Sequence, residues 1–532
     1  MAIAGFVPKR LRSSRGARRP RMGGFSLALT VALVCSACGG LGSPGDPTSA
    51  TTAMHPPAQF VEGPCPPTPE PVPMLEKARC GQLVVPENRS TAGGRSLRLA
   101  VAIIPSEAQP PAADPIVFLT GGPGSDAILA PPVPSDVGLN RNRDLILLTQ
   151  RGDHSSQPAL TCPEIEEFYA RRVGLVYGAA STGDLYVQAA KACRDRLAPV
   201  ADLAAFNSTE SAYDLVDLRK ALGIEQWNVY SHSYGTDLAL IYMRQDAQAI
   251  RSVTLDGVTP PSVASPGWTW SSAKEAFDAM TQACAAQAEC QARYPDLAGT
   301  FTKLVNRLEQ HPVTTTVDVP GVGDTTVVLD GNALLNWFVP VATHLPAEFP
   351  AAVDELAHGN PQRIAQQWAA AWVHPATVGM FGWGLALSVW CSEWVPFEST
   401  DDQLRKAQEA FPAFPDSVRA HAPQLPFLRE ACAAWDVPKA PESIRSVTES
   451  AVPTLALSGS FDGQTGAQWG SYVAQTLPRA TVVSVPGVAH GAYTDPCAAR
   501  VVASFYDDPE APDTSCVSST QPPPFDIIPP FP

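Results

Sequence analysis

No second Cys-x-x-Cys motif partners Cys35-Ser36-Ala37-Cys38, so the spacing of a structural zinc site is absent. Basic residues are scarce: 37 Lys and Arg stand against 52 Asp and Glu, for a formal charge of −15. Such a surface repels phosphate backbones and anionic lipid, which excludes nucleic acid as a partner and electrostatic docking on membranes. The apolar run from Phe25 to Val34 falls well short of the ~20 residues a membrane-crossing helix needs. No segment repeats at a fixed period, which removes solenoids and propellers.

Acidic residues are missing from the amino terminus, where Lys9, Arg10, Arg12, Arg15, Arg18, Arg19 and Arg21 precede that apolar run. A basic region, a short apolar region and small residues before a cysteine read as an export signal over 1–37. Ser36-Ala37-Cys38 fits a lipoprotein signal, with Cys38 as the lipidated residue, and an ordinary cleaved secretory signal is the alternative. The chain is thus expected at the bacterial cell envelope, touching the membrane through a lipid anchor, or secreted. With Cys35 removed and Cys38 lipidated, ten of the 12 cysteines remain, an even number that implies disulfides in an exported chain.

The chemistry centres on Ser231-His232-Ser233-Tyr234-Gly235. Trp227-Asn228-Val229-Tyr230 before it reads as a buried strand, and Thr236 to Met243 after it as a helix. A serine on a sharp strand-to-helix turn, with small residues two positions either side, is the nucleophile elbow of an α/β-hydrolase. Ser231 stands where that motif usually has Gly.

An elbow serine needs a base, an acid to orient the base, and donors for the oxyanion. In this fold the order is Ser, acid, His, with the last two in loops after late strands. Val452 to Gly459 reads as a strand followed by Ser460-Phe461-Asp462-Gly463, and Ala480 to Val485 as another followed by Pro486-Gly487-Val488-Ala489-His490-Gly491. Ser233, Asp462 and His490 are the candidate triad, and a histidine base predicts activity rising with pH through ~6–7. His232 adjoins the nucleophile, but neighbouring elbow side chains diverge; Asp256, also after a strand, is a second candidate acid. Pro115 to Leu119 reads as a short strand running into Thr120-Gly121-Gly122-Pro123-Gly124, which offers the Gly122 amide beside that of Tyr234 as oxyanion donors.

From about residue 65 to 516 the chain resembles the prolyl aminopeptidase and tripeptidyl aminopeptidase family of α/β-hydrolases, in its secreted bacterial branch. The likeness rests on Cys80 to Glu87, the Gly-Gly-Pro-Gly loop at 121–124, Gln150-Arg151-Gly152, Tyr213 to Arg219, Leu255 to Val258, and the Asp462 and His490 loops. The sequence departs from that family at Thr149 and Asp153, where the family has Asp and Thr, and at Asp462-Gly463-Gln464-Thr465, where it has Asp-Pro-x-Thr. With sequence proximity, the resemblance implies the pairs Cys65–Cys80, Cys162–Cys193, Cys284–Cys290, Cys391–Cys432 and Cys497–Cys516. It also implies that a cap carboxylate pairs with the substrate's α-ammonium, and Glu393, between Trp390 and Trp394, is the candidate; a helix-capping Glu is the alternative.

The expected organisation is a signal at 1–37, a flexible Gly/Pro/Ser/Thr-rich tether at 38–64, and a hydrolase core at 65–261 and 451–516. A mainly helical cap at 262–450 interrupts that core, and a loose Pro-rich tail occupies 517–532. The expected fold is α/β, a mostly parallel sheet with helices on both faces. The function that follows is a serine hydrolase needing no cofactor and acting on a peptide or small ester, foremost an aminopeptidase. A carboxylesterase or lipase uses the same machinery, and a non-catalytic binding protein on this scaffold is the third possibility.

Overall fold

The computed structural model describes residues 56–129, 138–373, 379 and 381–529. The signal at 1–37, Cys38 and most of the tether lie outside them.

Nine strands form one sheet in the order β1-β2-β3-β5-β4-β6-β7-β10-β11. β1 (Gln59–Glu62), β2 (Arg79–Pro86) and β3 (Ser96–Ile104) make an antiparallel edge, and β3 pairs antiparallel with β5 (Leu145–Leu148). From β5 onward, β4 (Ile116–Leu119), β6 (Trp227–His232), β7 (Ile250–Asp256), β10 (Thr454–Gly459) and β11 (Ala480–Val485) run parallel. Every residue of β4 and β5 is apolar and buried, as parallel strands covered on both faces require.

The pleat sends successive side chains to opposite faces, and each face has its own apolar cluster. Val117 and Val229 join Leu215 and Leu238 of the helices Ser208–Ala221 and Tyr234–Asp246. Phe118 and Tyr230 join Val501 and Phe505 of the helix Pro496–Asp507 on the other face.

Between β7 and β10 the chain builds the cap around an apolar cluster of its own, which includes Trp270, Phe277, Phe301, Phe338 and Trp368. It is mainly helical, with one antiparallel hairpin, β8 (Val313–Val319) and β9 (Gly323–Leu329), that the sequence reading did not anticipate. β8 buries alternate residues, whereas β9 is buried at Val327, Val328 and Leu329.

Two boundaries are corrected. The expected tether reaches too far, because Gln59–Glu62 adds an edge strand to β2 and the Cys65–Cys80 disulfide closes just beyond it. The Pro-rich tail is not loose as far as it is described. Phe525 is buried in the cap cluster, Gln287 Nε2 donates to the Pro523 carbonyl (2.9 Å), and Tyr294 Oη donates to the Asp526 carbonyl (3.0 Å). Proline costs little backbone entropy when ordered, so one aromatic anchor and a few carbonyl acceptors hold such a segment.

All five expected cysteine pairs are closed as disulfides. Among the described residues, no helix is long and apolar enough to cross a membrane.

Candidate active site

β6 ends at His232 and the helix Tyr234–Asp246 begins two residues later, leaving Ser233 to make the turn at φ 58°, ψ −129°. A non-glycine residue there is strained, and such strain persists only where the surroundings enforce it. Here close packing enforces it. A Cβ on Gly235 would stand 2.3 Å from the Leu119 carbonyl oxygen, and one on Gly121 would stand 2.5 Å from the Ser233 Cβ. Ser231 is tolerated in place of Gly because its hydroxyl, fully buried, donates to the Thr254 carbonyl (2.7 Å).

The loops after β10 and β11 bring Asp462 and His490 together. Nδ1 of His490 lies 2.8 Å from Asp462 Oδ2, and the carboxylate also accepts from the Gln464 amide (2.8 Å), the Thr465 amide (2.8 Å) and the Thr465 hydroxyl (2.6 Å). Burial pushes the Asp462 carboxyl up, but the imidazole beside it and these donors outweigh burial and hold it well below the usual range. Burial pulls His490 down, and the Asp462 carboxylate more than reverses that, so its imidazolium persists above the ordinary 6.5.

The His490 ring lies on the backbone of Gly257, its Cε1 3.2 Å from where a Cβ would stand, and 4.6 Å, centroid to centroid, from the His232 ring. His232 is held neutral by burial and by repulsion from His490, which suits a wall and not a base. Ser233 Oγ forms no hydrogen bond with His490 among the described residues, and such bonds often tighten only once substrate is bound. Gly121-Gly122 lies against Ser233, and Tyr234 opens the following helix, where amides of the first turn have no partner within the helix.

Asp256, the second candidate acid, does not reach the imidazole. Its carboxylate accepts from the Ala492 and Tyr493 amides (3.0 and 3.2 Å) and from the Tyr230 hydroxyl (2.9 Å).

Glu393 acquires a partner within the protein. It is buried in a π-helical turn with both oxygens engaged by one residue: the Ser208 amide donates to Oε1 (2.7 Å) and the Ser208 hydroxyl to Oε2 (2.6 Å). Ser208 begins a helix, so Glu393 caps that terminus, as the helix-capping alternative has it. Burial, partly offset by those two donors, pushes its carboxyl up to about 7.

The departures at 149 and 153 also acquire partners. Thr149 Oγ1 donates to Asp126 Oδ1 (3.1 Å), whereas Asp153 is fully buried with both oxygens unpartnered, and burial beside Asp126 pushes its carboxyl well up. Arg151 of the Gln150-Arg151-Gly152 stretch grips Asp214 with two bonds of 2.8 Å, so two of the motifs are joined by one buried ion pair.

Sequence reasoning overlooked Thr465. Its hydroxyl touches both Asp462 and His490 Nδ1 (3.0 Å), and the signal for it was its place three residues after the acid, where the resembled family also has Thr.

A serine forced onto a strand–helix elbow at the carboxyl ends of a parallel sheet, with an imidazole–carboxylate pair converging from later loops, defines a serine hydrolase of α/β fold. Two family models match the chain, one described as alpha/beta hydrolase fold over residues 114–327 and one as TAP-like protein over 423–517, the second spanning Asp462, Thr465 and His490. The chain has the α/β-hydrolase fold, and its C-terminal part is similar to TAP-like proteins. It is 27% identical over 226 residues to "Putative hydrolase YuaR" of Escherichia coli (strain K12), covering 40% of this chain and 43% of that one. It is 28% identical over 233 residues to Serine protease Hip1 of Mycobacterium tuberculosis (strain H37Rv), covering 40% and 42%. The matches thus span less than half the length of these relatives. Proline iminopeptidase of Mycobacterium smegmatis superposes with a TM-score of 0.35 at 15% identity, covering 81% of this chain and 98% of that structure.

Proposed function

We propose that this chain is an exported serine peptidase that releases residues or short peptides from free N termini. The observation that carries the reading is the strained Ser233 elbow after β6 together with the His490–Asp462 pair in the loops after β10 and β11, within a chain whose C-terminal part is TAP-like. The name of the relative Serine protease Hip1 favours a peptide over an ester. Five disulfides favour an oxidising compartment.

In this reading Ser233 Oγ attacks the scissile carbonyl while His490 Nε2 takes its proton. Asp462 fixes the imidazole tautomer with the proton on Nδ1 and steadies the imidazolium that forms. The Gly122 and Tyr234 amides donate to the oxyanion. The imidazolium protonates the leaving amine as the C–N bond breaks, leaving an acyl ester on Ser233. Water, deprotonated by His490, then cleaves that ester and restores the hydroxyl. No cofactor takes part in any of these steps.

The test compares peptidyl-arylamides with free and N-acetylated termini against acyl esters of similar size. The proposal expects kcat/KM for the free peptide to exceed that for the blocked one. Equal cleavage of free and blocked peptides overturns the aminopeptidase reading, and a preference for the ester places the chain with carboxylesterases.

A further inference from the structure

Asp256 stands at the carboxyl end of β7, between the strand that carries the nucleophile and the strand that leads to the acid. It is in register with His232 on one side and Leu457 on the other, and it is fully buried. Its main-chain oxygen accepts from the Ser233 amide (2.9 Å). Its side chain reaches the other way. Oδ1 accepts from the Ala492 amide (3.0 Å), and Oδ2 accepts from the Tyr493 amide (3.2 Å) and the Tyr230 hydroxyl (2.9 Å). Ala492 and Tyr493 begin the short turn just past His490, and the next residue, Gly257, supplies the backbone on which the imidazole rests.

One residue therefore holds the nucleophile by its backbone and the loop of the base by its side chain. These two groups lie more than 250 residues apart in sequence, and β7 and β10 separate the strands they follow.

We propose that Asp256 is a positioning residue that sets the separation of Ser233 Oγ and His490 Nε2. The proposal rests on the reading of Ser233 and His490 as nucleophile and base. Asp256 touches neither substrate nor the reacting atoms, and it acts through the loop it anchors. Ionisation strengthens the anchor, because a carboxylate accepts both amides and the phenol, whereas a protonated carboxyl keeps one good acceptor and gains a donor that meets N–H groups. Burial pushes its carboxyl up to about 6, against the pull of Tyr230, the two amides and His490. The titratable groups facing it are Tyr230 and His232 on β6 and its end, and His490 and Tyr493 in the anchored loop. Both tyrosines are held neutral far above neutrality by burial, so Asp256 and His490 are the pair that titrates in the working range. As pH falls, His490 gains its proton and then Asp256 gains one, and the acid side of the rate profile steepens beyond a single proton.

The experiment uses the full chain and a peptidyl-arylamide, with active sites counted by a fluorophosphonate. Asp256→Asn keeps the shape but turns an amide N–H toward the Tyr493 amide. Expected are kcat per active site lower on the order of 10²-fold, the loss typical of a misplacement near 1 Å, with KM unchanged and an acid limb reduced to one proton. A role confined to stability lowers the melting temperature and the number of active sites while leaving kcat per site and the limb as in the wild type, and that result overturns the proposal. If Asp256→Asn does not fold, Tyr230→Phe decides. Losing one donor raises the Asp256 pKa, so an acid limb displaced to higher pH supports the proposal and an unmoved limb refutes it. Ser233→Ala separates the two readings. Turnover that survives it sinks the nucleophile assignment, whereas its loss beside an unaffected Asp256→Asn sinks the positioning role alone.

Discussion

Replacing Thr465 with Val removes one hydroxyl from the most heavily bonded carboxylate of the site and changes little else. Asp462 is fully buried, so no water takes the hydroxyl's place, and Oδ2 is left with the His490 imidazole as its partner. A hydrogen bond to a charged group contributes about 1.5–3 kcal/mol. At 1.36 kcal/mol per pKa unit this raises the Asp462 pKa by roughly one to two units. That group starts well below its ordinary 3.8, so it stays ionised at neutral pH and the triad keeps its charges. The rate then suffers through orientation alone, and kcat is expected to fall on the order of 10-fold, with KM preserved.

The pH dependence of stability gives a second, independent readout. A carboxylate whose folded pKa is depressed contributes stability that is present above its unfolded pKa and lost as pH falls through the folded value. The difference in unfolding free energy between wild type and Thr465→Val should therefore be constant from about pH 5 to 8 and shrink below about pH 4. Urea titrations at several pH values, beside steady-state kinetics, measure both. Equal stability and equal kcat refute the reasoning, and so does a stability gap that persists undiminished at low pH.

Ser233→Ala should abolish turnover by several orders of magnitude while leaving circular dichroism and the melting temperature unchanged; activity above a few per cent would dismiss the nucleophile. The His490 imidazolium is held above its ordinary 6.5 by Asp462, so activity should rise with pH through an apparent pKa above that value. A rate flat from about pH 5 to 8 counts against a histidine base, provided single-turnover measurements show that chemistry is limiting. Glu393→Gln should leave the ratio of free to acetylated peptide cleavage as it was, because the carboxylate caps a helix. Its folded pKa of about 7 lies above the ordinary 4.5, so its contribution to stability is full at low pH and is lost as pH rises toward 7. The Gln variant should show a flatter stability profile over that range, and a changed substrate ratio would restore Glu393 to the substrate site.

The elbow was legible because its signals are local. An apolar strand, small residues at 231 and 235 and a helical pattern after 236 all lie within one short window. The order of Ser233, Asp462 and His490 was legible because parallel strands put every following loop at the same end of the sheet, so position after a strand is enough to nominate a residue. The ten cysteines beyond residue 38 are an even number in the sequence itself, and their pairing came from resemblance.

The partners chosen across the sheet and the cap were decided by tertiary structure. Glu393 meets Ser208 over a separation of 185 residues, and Asp256 meets Ala492 over 236, distances at which no periodicity or spacing carries information. The Ser208 partner of Glu393 was illegible for that reason: a carboxylate between two indoles looks free until the helix terminus it caps is folded against it. Gln59–Glu62 became a strand only because β2 offered an unpaired edge, and Phe525 is buried only because the cap left a place for it. Sequence alone nominated the residues proposed to carry the chemistry, since that depends on residue type and on the end of the strand they follow. Tertiary structure determined how those residues are held and charged, because burial and hydrogen-bond partners come from segments that meet only when the sheet has closed.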